Sequence, residues 1–253
     1  MRKTWAVALL VSASVVGCTR QVDGTVTAAS DLPRKPLTAD DIKSVLIDQT
    51  TLSGLLGQRM VSNGPIESGG PDSLPDAHFT VSPPECAGIP QIVQKNVYQS
   101  ADITGYASGS WMVADTGKVW MVETGVVALS TAAQADALFA KFSRQWNSCS
   151  GKTAAELDQT GTGTDLIGDV HASEEVVSTV IDQTMTVPGL PSLLPNRLSH
   201  ALGVELNCIV EAQVVFFTGS HAADPGTATP DTSGADVVQA MRKNIANKAD
   251  ATI

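Results

Sequence analysis

Apolar residues recur along the chain in two rhythms, and the changes between them mark out the elements. Over 131–146, Ala135, Leu138, Phe139, Phe142 and Trp146 fall three and four apart, a single helical stripe. Val237, Val238, Met241 and Ile245 repeat the pattern over 235–249 and predict a closing helix. Near the start of the periodic region, Thr38-Ala39-Asp40-Asp41 is a Ser/Thr-x-x-acid box leading into Ile42, Val45 and Leu46 at helical spacing. A second short helical piece is expected over 51–56, and Ile89, Ile92, Val93 and Val97 predict a helix over 88–100. Strands are predicted over 103–113 and 119–130, on either side of the turn signal Asp115-Thr116-Gly117. Two further strand pairs follow, 166–171 with 176–181 and 198–204 with 208–217, whereas 62–74, with its Gly and Pro, reads as a loop. Runs of adjacent strands with helices grouped between them favour α+β, a largely antiparallel sheet with flanking helices. Neither an internal repeat nor a Gly-rich phosphate loop is present.

The first residues follow neither rhythm. Met1-Arg2-Lys3 is basic, Trp5 to Val11 is apolar, and small residues lead to Val15-Val16-Gly17-Cys18. That order marks an export signal, and its apolar part is shorter than the roughly 20 residues a spanning helix needs. A branched residue three before the cysteine and Gly immediately before it look like the bacterial lipobox, so 1–17 is read as a lipoprotein signal peptide. Cys18 is then the lipidation site, carrying diacylglycerol on its sulfur and a further acyl chain such as palmitate on the new amino terminus. Two or three such chains hold a protein stably on a bilayer. Residues 18–36, polar and carrying two prolines, read as a lipidated flexible tether. The domain proper is 37–253. Downstream, the apolar stretch 202–219 is broken by Glu205, Asn207, Glu211 and Gln213, so the expectation is a chain anchored on the outer face of the cell membrane rather than spanning it.

Charge narrows the partners. The chain has 16 basic and 26 acidic residues, a net charge of −10, which becomes −12 once Arg2 and Lys3 leave with the signal. With no Lys/Arg cluster remaining, nucleic acid is not an expected partner. Hydrophobic content of 43% supports one sizeable core.

Catalytic chemistry finds little support. His78, His171, His200 and His221 are dispersed and form no metal-ligand spacing, so no metal and no cofactor are expected. Ser199 and His200 are neighbours on a predicted strand and therefore point to opposite faces. No Gly-x-Ser-x-Gly elbow occurs, and 105–111, with Gly105, Ser108, Gly109 and Ser110, reads as a flexible strand end or turn. Among the tryptophans, Trp120 in the alternating run Val119-Trp120-Met121-Val122 is expected to pack one face of the sheet, as is Trp146 in the helical stripe. Exposed aromatics such as Trp111 and Trp120 are the alternative, since they line sugar and lipid sites. Glu174-Glu175 reads as a solvated turn. No catalytic residue is assigned, and the ligand-binding residues are unknown at this level.

With Cys18 taken by lipid, Cys86, Cys149 and Cys208 remain, an odd number that gives one pair and one leftover. Cys86 with Cys149 is the favoured disulfide, joining the start of one predicted helix to the end of another. Pairs using Cys208 stay open, although Cys208 between Asn207 and Ile209 also fits a buried, inert thiol.

Several of these positions together resemble a family. Pro83-Pro84-Glu85-Cys86, the segment leading to Val97-Tyr98, the helix ending in Trp146-Asn147-Ser148-Cys149, the Ala201-Leu202 and Asn207 strand pair, and the closing helix resemble the extracellular sensor domain of the mycobacterial receptor kinase PknH. That domain also occurs in mycobacterial lipoproteins, the branch the lipobox matches. The resemblance spans roughly 38–249 and implies an α+β domain with a twisted antiparallel sheet, two disulfides, and an exposed cleft suited to an unidentified ligand, with no catalytic activity. One departure stands out. The family's third cysteine belongs to a Cys-x-x-Ala-Leu string, which here reads Leu198-Ser199-His200-Ala201-Leu202, and Cys208 comes several residues too early for the fourth. The second bridge is thus expected to be absent.

The resulting expectation is a membrane-anchored extracytoplasmic lipoprotein acting as a non-catalytic ligand-binding or sensing module of the cell envelope. Its partner would be a small molecule, an envelope lipid, a glycan or another exported protein. The alternatives are a cell-envelope hydrolase with an unrecognised active site, and a structural subunit of an exported complex. A cleft of apolar and small polar groups distinguishes the first, a His beside a nucleophile the second, and a flat apolar patch the third.

Overall fold

The computed structural model describes residues 34–77, 79–157, 162–186, 196–218 and 225–251. The signal peptide, Cys18, most of the tether, His78 and His221 lie outside the described residues.

The chain opens with a 3-10 turn, Ile42–Val45, then α1 (Gln49–Leu56), whose first amides are capped by Asp48 through Thr50 N at 2.9 Å and Thr51 N at 3.0 Å. Short strands β1 (Met60–Ser62), β2 (Glu67–Gly69) and β3 (Thr80–Ser82) and the one-turn helix α2 (Lys95–Tyr98) follow. Long strands β4 (Ile103–Val113) and β5 (Val119–Leu129) lead into α3 (Ala132–Cys149). Then come β6 (Thr153–Leu157), β7 (Thr162–Ile167), β8 (His171–Ala172), β9 (Val176–Thr186), β10 (Asn196–Glu205), β11 (Cys208–Phe216) and α4 (Ser233–Asp250). Among the described residues the strands form one 11-stranded sheet in the order β1-β4-β5-β11-β10-β9-β7-β6-β3, with β2 also on β4 and β8 also on β9. Every pairing is antiparallel, so the fold is α+β as expected.

The sheet is covered on both faces, and strand alternation sorts the side chains between them. Val210, Ala212 and Val214 of β11 meet Val237, Val238, Met241 and Ile245 of α4 and Leu52 and Leu56 of α1. The flanking residues of opposite parity, Ile209 and Val215, join Leu138, Phe139, Phe142 and Trp146 of α3. Burying each of these large side chains stabilises the fold by roughly 1.5–3 kcal/mol. Because β11 is buried along its whole length, Glu211 and Gln213 are carried into the interior and must find partners there.

The pattern misled in identifiable places. The 88–100 stripe does bury Ile89, Ile92 and Val93, yet only Lys95–Tyr98 is helical. Pro90 interrupts it, and Val93 adopts φ 45°, a left-handed conformation no helix accommodates. Within 62–74, β2 pairs with β4. The predicted strand over 166–171 lies earlier, at Thr162–Ile167, where Gly163, Asp165 and Ile167 are buried and Thr162, Thr164 and Leu166 exposed. The run 105–111 is the body of β4 rather than a turn. The box Thr38–Asp41 does close on itself, Thr38 N donating to Asp41 Oδ2 at 3.0 Å, but it starts only the 3-10 turn. Glu175 sits in a turn but is also ion-paired, 2.7 Å from Arg242 of α4.

Cys86 and Cys149 are bonded with their Cα atoms 5.9 Å apart, tying the segment before α2 to the end of α3. Cys208 is free and buried. Beside it, Asn207 makes a clasp: its Oδ1 accepts from Leu37 N at 2.8 Å, and its Nδ2 donates to Leu37 O at 3.0 Å and Leu129 O at 2.7 Å. The β10–β11 turn at Leu206, φ 53°, is thereby locked to the segment that brings the chain into the domain.

Candidate functional site

α3 covers the ends of β10 and β11 nearest their connecting turn, at Leu202, Val204 and Ile209. Toward the other ends of these strands the same face carries a cleft of about 600 Å³, within the usual range for small-molecule sites. Its floor includes Met121 and Glu123 of β5, Gln213 and Val215 of β11, Leu198 of β10 and Gln183 of β9. One wall is the irregular segment Pro90 to Gln94, and Asn63 to Pro65 of the β1–β2 connection contributes to the rim.

That wall is irregular in backbone yet tightly held. Gln213 Nε2 donates to Pro90 O at 2.7 Å, Val93 N to Glu211 Oε2 at 3.3 Å, and His200 Nδ1 bonds Ile89 O. Tyr98 gives its hydroxyl hydrogen to Glu211 Oε1, and His200 Nε2 lies 3.4 Å from Glu211 Oε2 without hydrogen-bond geometry. Burial, and then the Glu211 charge, raise the Tyr98 pKa well above that of a free tyrosine, so the phenol stays a donor. The His200 ring stacks at a tilt on Trp146, centroids 4.7 Å apart. Gly125, facing Glu211 on the neighbouring strand, leaves the space Val93 occupies: a Cβ there would lie 2.6 Å from Val93 Cγ1. The polar web of Tyr98, His200 and Glu211 is sealed from solvent and works as a foundation for the wall.

Catalysis has no assembled machinery among the described residues. Ser199 and His200 do point apart: Ser199 Oγ accepts from Gly234 N at 2.9 Å on the α4 side, while His200 lies buried toward α3. His171 is exposed, and no group of three or more His, Cys, Asp or Glu among the described residues is placed to hold a metal.

Trp120 departs from the expected packing. Phe216 pairs with Val119 and Val215 with Met121, so a bulge sets two residues of β5 opposite one of β11. Val119 stays in the α4-side core, and Trp120 and Met121 both line the cleft. Trp120 keeps 37% of its surface exposed. Period-two reading cannot foresee a bulge. Trp111, in contrast, is buried in the opposite core.

The cleft is electrostatically one-sided. Glu67, Glu123 and Glu156 contribute to it, and none of its described lining residues is Lys, Arg or His. The Tyr106 hydroxyl, 2.6 Å from Ser108 Oγ, has a raised pKa mainly through burial, with the Glu67 and Glu123 charges acting in the same direction and Ser108 opposing. At the far end Glu156 accepts from Gln91 Nε2 at 3.0 Å and Gln183 Nε2 at 3.3 Å. The amide and acidic residues of the floor escaped sequence reading because they sit singly within apolar strands. Their one visible signal was the polar interruption Glu211 and Gln213 in an otherwise apolar run.

An all-antiparallel sheet covered by helices on both faces, with a cleft of about 600 Å³ at one end, defines an α+β domain of the open-sheet type. Residues 37–244 match the family of PknH-like extracellular domains, and the chain belongs to that family. It is thus an extracytoplasmic, sensor-type module. Among solved structures, the extracellular domain of PknH from Mycobacterium tuberculosis is similar over 85% of this chain and 100% of its own, at 18% identity and a TM-score of 0.69, which shows a shared fold. An uncharacterised protein from Mycobacterium smegmatis aligns over 83% of this chain and 97% of its own at 11% identity and a TM-score of 0.38, too weak a likeness to speak to the fold. Nothing among curated proteins matches the chain.

Proposed function

We propose that the protein is a lipid-anchored, non-catalytic module of the cell envelope that binds a ligand in the cleft beside Trp120. The observation that carries this reading is the cleft itself: a 600 Å³ concavity whose irregular wall is pinned by buried, hydrogen-bonded Glu211, His200 and Gln213. Interior polar groups are costly unless they secure something, and here they hold a binding wall in place. Val15-Val16-Gly17-Cys18 supports the anchor, and the segment 18–36 supplies reach above the membrane. The sealed position of His200, with Ser199 turned away, supports binding without turnover.

The test has two arms. Cys18→Ala is expected to abolish fatty-acid labelling of the chain in its host, and labelling that persists overturns the anchor. Native mass spectrometry of the protein recovered from its host is expected to show a non-covalent adduct that Trp120→Ala loses. An adduct that survives this change, or no adduct at all, overturns the site.

A further inference from the structure

Resting on the reading of the cleft as a ligand site, we infer that its ligand is a neutral, polyhydroxylated one, a glycan or the sugar headgroup of a glycoconjugate, stacked on the indole of Trp120. Three observations converge.

Charge comes first. Glu67 and Glu123 act on the Tyr106 hydroxyl, Glu156 borders the far end, and none of the described lining residues is Lys, Arg or His. Phosphate, sulfate and carboxylate ligands meet like charge and find no counter-ion. A cationic ligand meets the right sign, but at Glu156 it competes with the amide hydrogens of Gln91 and Gln183.

The second observation is the aromatic face. The bulge opposite Phe216 turns Trp120 out beside Met121, leaving an indole 37% exposed in a protein whose Trp111 and Trp146 are buried. A flat apolar ring edged by polar groups suits the C–H face of a pyranose or furanose ring, which has apolar faces and a polar rim.

Third, the surroundings of the indole are amides. Asn63, Gln91, Gln94, Gln183, Asn196 and Gln213 line the cleft, and each amide offers both donors and acceptors, as hydroxyl groups do. Gln213 and Gln91 are already oriented by Pro90 O and Glu156, so little side-chain entropy is lost on binding. An acyl chain, the other ligand with an affinity for indole, would lay methylene groups over the Glu123 carboxylate and the Gln213 amide in the middle of the floor, and so strip polar groups of water.

The experiment titrates the full chain, purified in detergent, and follows tryptophan fluorescence and calorimetric heat. The probes are a panel of neutral oligosaccharides, the sulfated forms of the same sugars, spermidine and lysophosphatidylcholine. At least one neutral oligosaccharide is expected to bind, with its sulfated form at least about tenfold weaker, and Trp120→Ala is expected to weaken it by about tenfold or more while Trp120→Phe retains part of the affinity. Tighter binding of a sulfated sugar, spermidine or lysophosphatidylcholine that still depends on Trp120 overturns the ligand class and leaves the cleft standing as a site. Binding of any probe unaffected by Trp120→Ala, or no binding across the panel, overturns the assignment to the cleft.

Discussion

Asp165 of β7 and Glu156 of β6 lie on one face of adjacent strands, one pair out of register, Asp165 facing Ala154 and Glu156 facing Gly163. Both are buried, and neither Asp165 oxygen has a hydrogen-bond partner in good geometry. Burial, and then the charge of Glu156, push the Asp165 pKa from 3.8 to about 7, with nearby Gln183 pulling weakly the other way. A carboxyl with a raised folded pKa binds more protons folded than unfolded, so stability falls as pH rises from about 4 to about 7 and levels off above. Asp165→Asn is expected to remove that slope, leaving stability near pH 4 little changed and raising it at pH 8 by a few kcal/mol at most, on the order of 1.4 per pKa unit. Chemical denaturation at pH 4, 6 and 8 checks this, and an unchanged slope refutes it.

Cys86 and Cys149 close a loop of 63 positions, and losing that constraint is expected to cost about 4 kcal/mol on chain-entropy grounds. Comparing Cys86→Ala/Cys149→Ala with the parent in urea measures the loss. Cys208 is expected to behave oppositely: burial, then the charges of Glu205 and Asp41, raise its thiol pKa to about 12. It should resist iodoacetamide in the folded chain and react once the chain is denatured.

Arg242 of α4 fixes that helix to the sheet. Its Nε donates to Val204 O at 2.8 Å, its Nη1 to Gln239 at 2.8 Å, and its Nη2 contacts Glu205 at 3.0 Å and Glu175 at 2.7 Å. Arg242→Ala takes the side-chain donor from the Val204 carbonyl and leaves the half-buried Glu205 with Arg34 at 3.5 Å, and is expected to destabilise the fold by roughly 3 kcal/mol. Arg242→Lys should recover little, because a single ammonium cannot serve that fork of acceptors. Thermal unfolding of the two variants distinguishes them.

Leu198 and Val215 stand opposite each other on β10 and β11. Directly paired antiparallel residues have Cα atoms about 4.5–5.5 Å apart, within the span of a disulfide. Leu198→Cys with Val215→Cys is therefore expected to bond under air oxidation and to stabilise the fold by up to about 3 kcal/mol. Mass spectrometry before and after alkylation reads the result, and two free thiols in the folded double variant refute it.

The long elements were legible because a single periodicity governs each. The stripe from Ala135 to Trp146 is the buried face of α3, and β4, β5 and β11 were found within a residue or two at each end. Thr153–Leu157 and Thr80–Ser82 escaped because such short polar strands owe their existence to neighbours in the sheet rather than to their own sequence. The cleft was illegible for a related reason. Its wall replaces backbone regularity with bonds from His200, Glu211 and Gln213, more than 100 positions away in sequence. Trp120 reaches it through a bulge that simple alternation conceals.

The Asn207 clasp has a mechanical consequence. It fastens Leu37 at the β10–β11 turn, whereas Asn196 and Leu198, at the other end of β10, border the cleft. Ten residues of strand, roughly 30 Å, separate the two like a strut. A pull between the cleft end of β10 and the segment preceding Leu37 runs along the strand axes, so the ladder bonds joining β10 to β9 and β11 bear the load in shear, side by side. Peeling a hairpin from its end would break such bonds one after another.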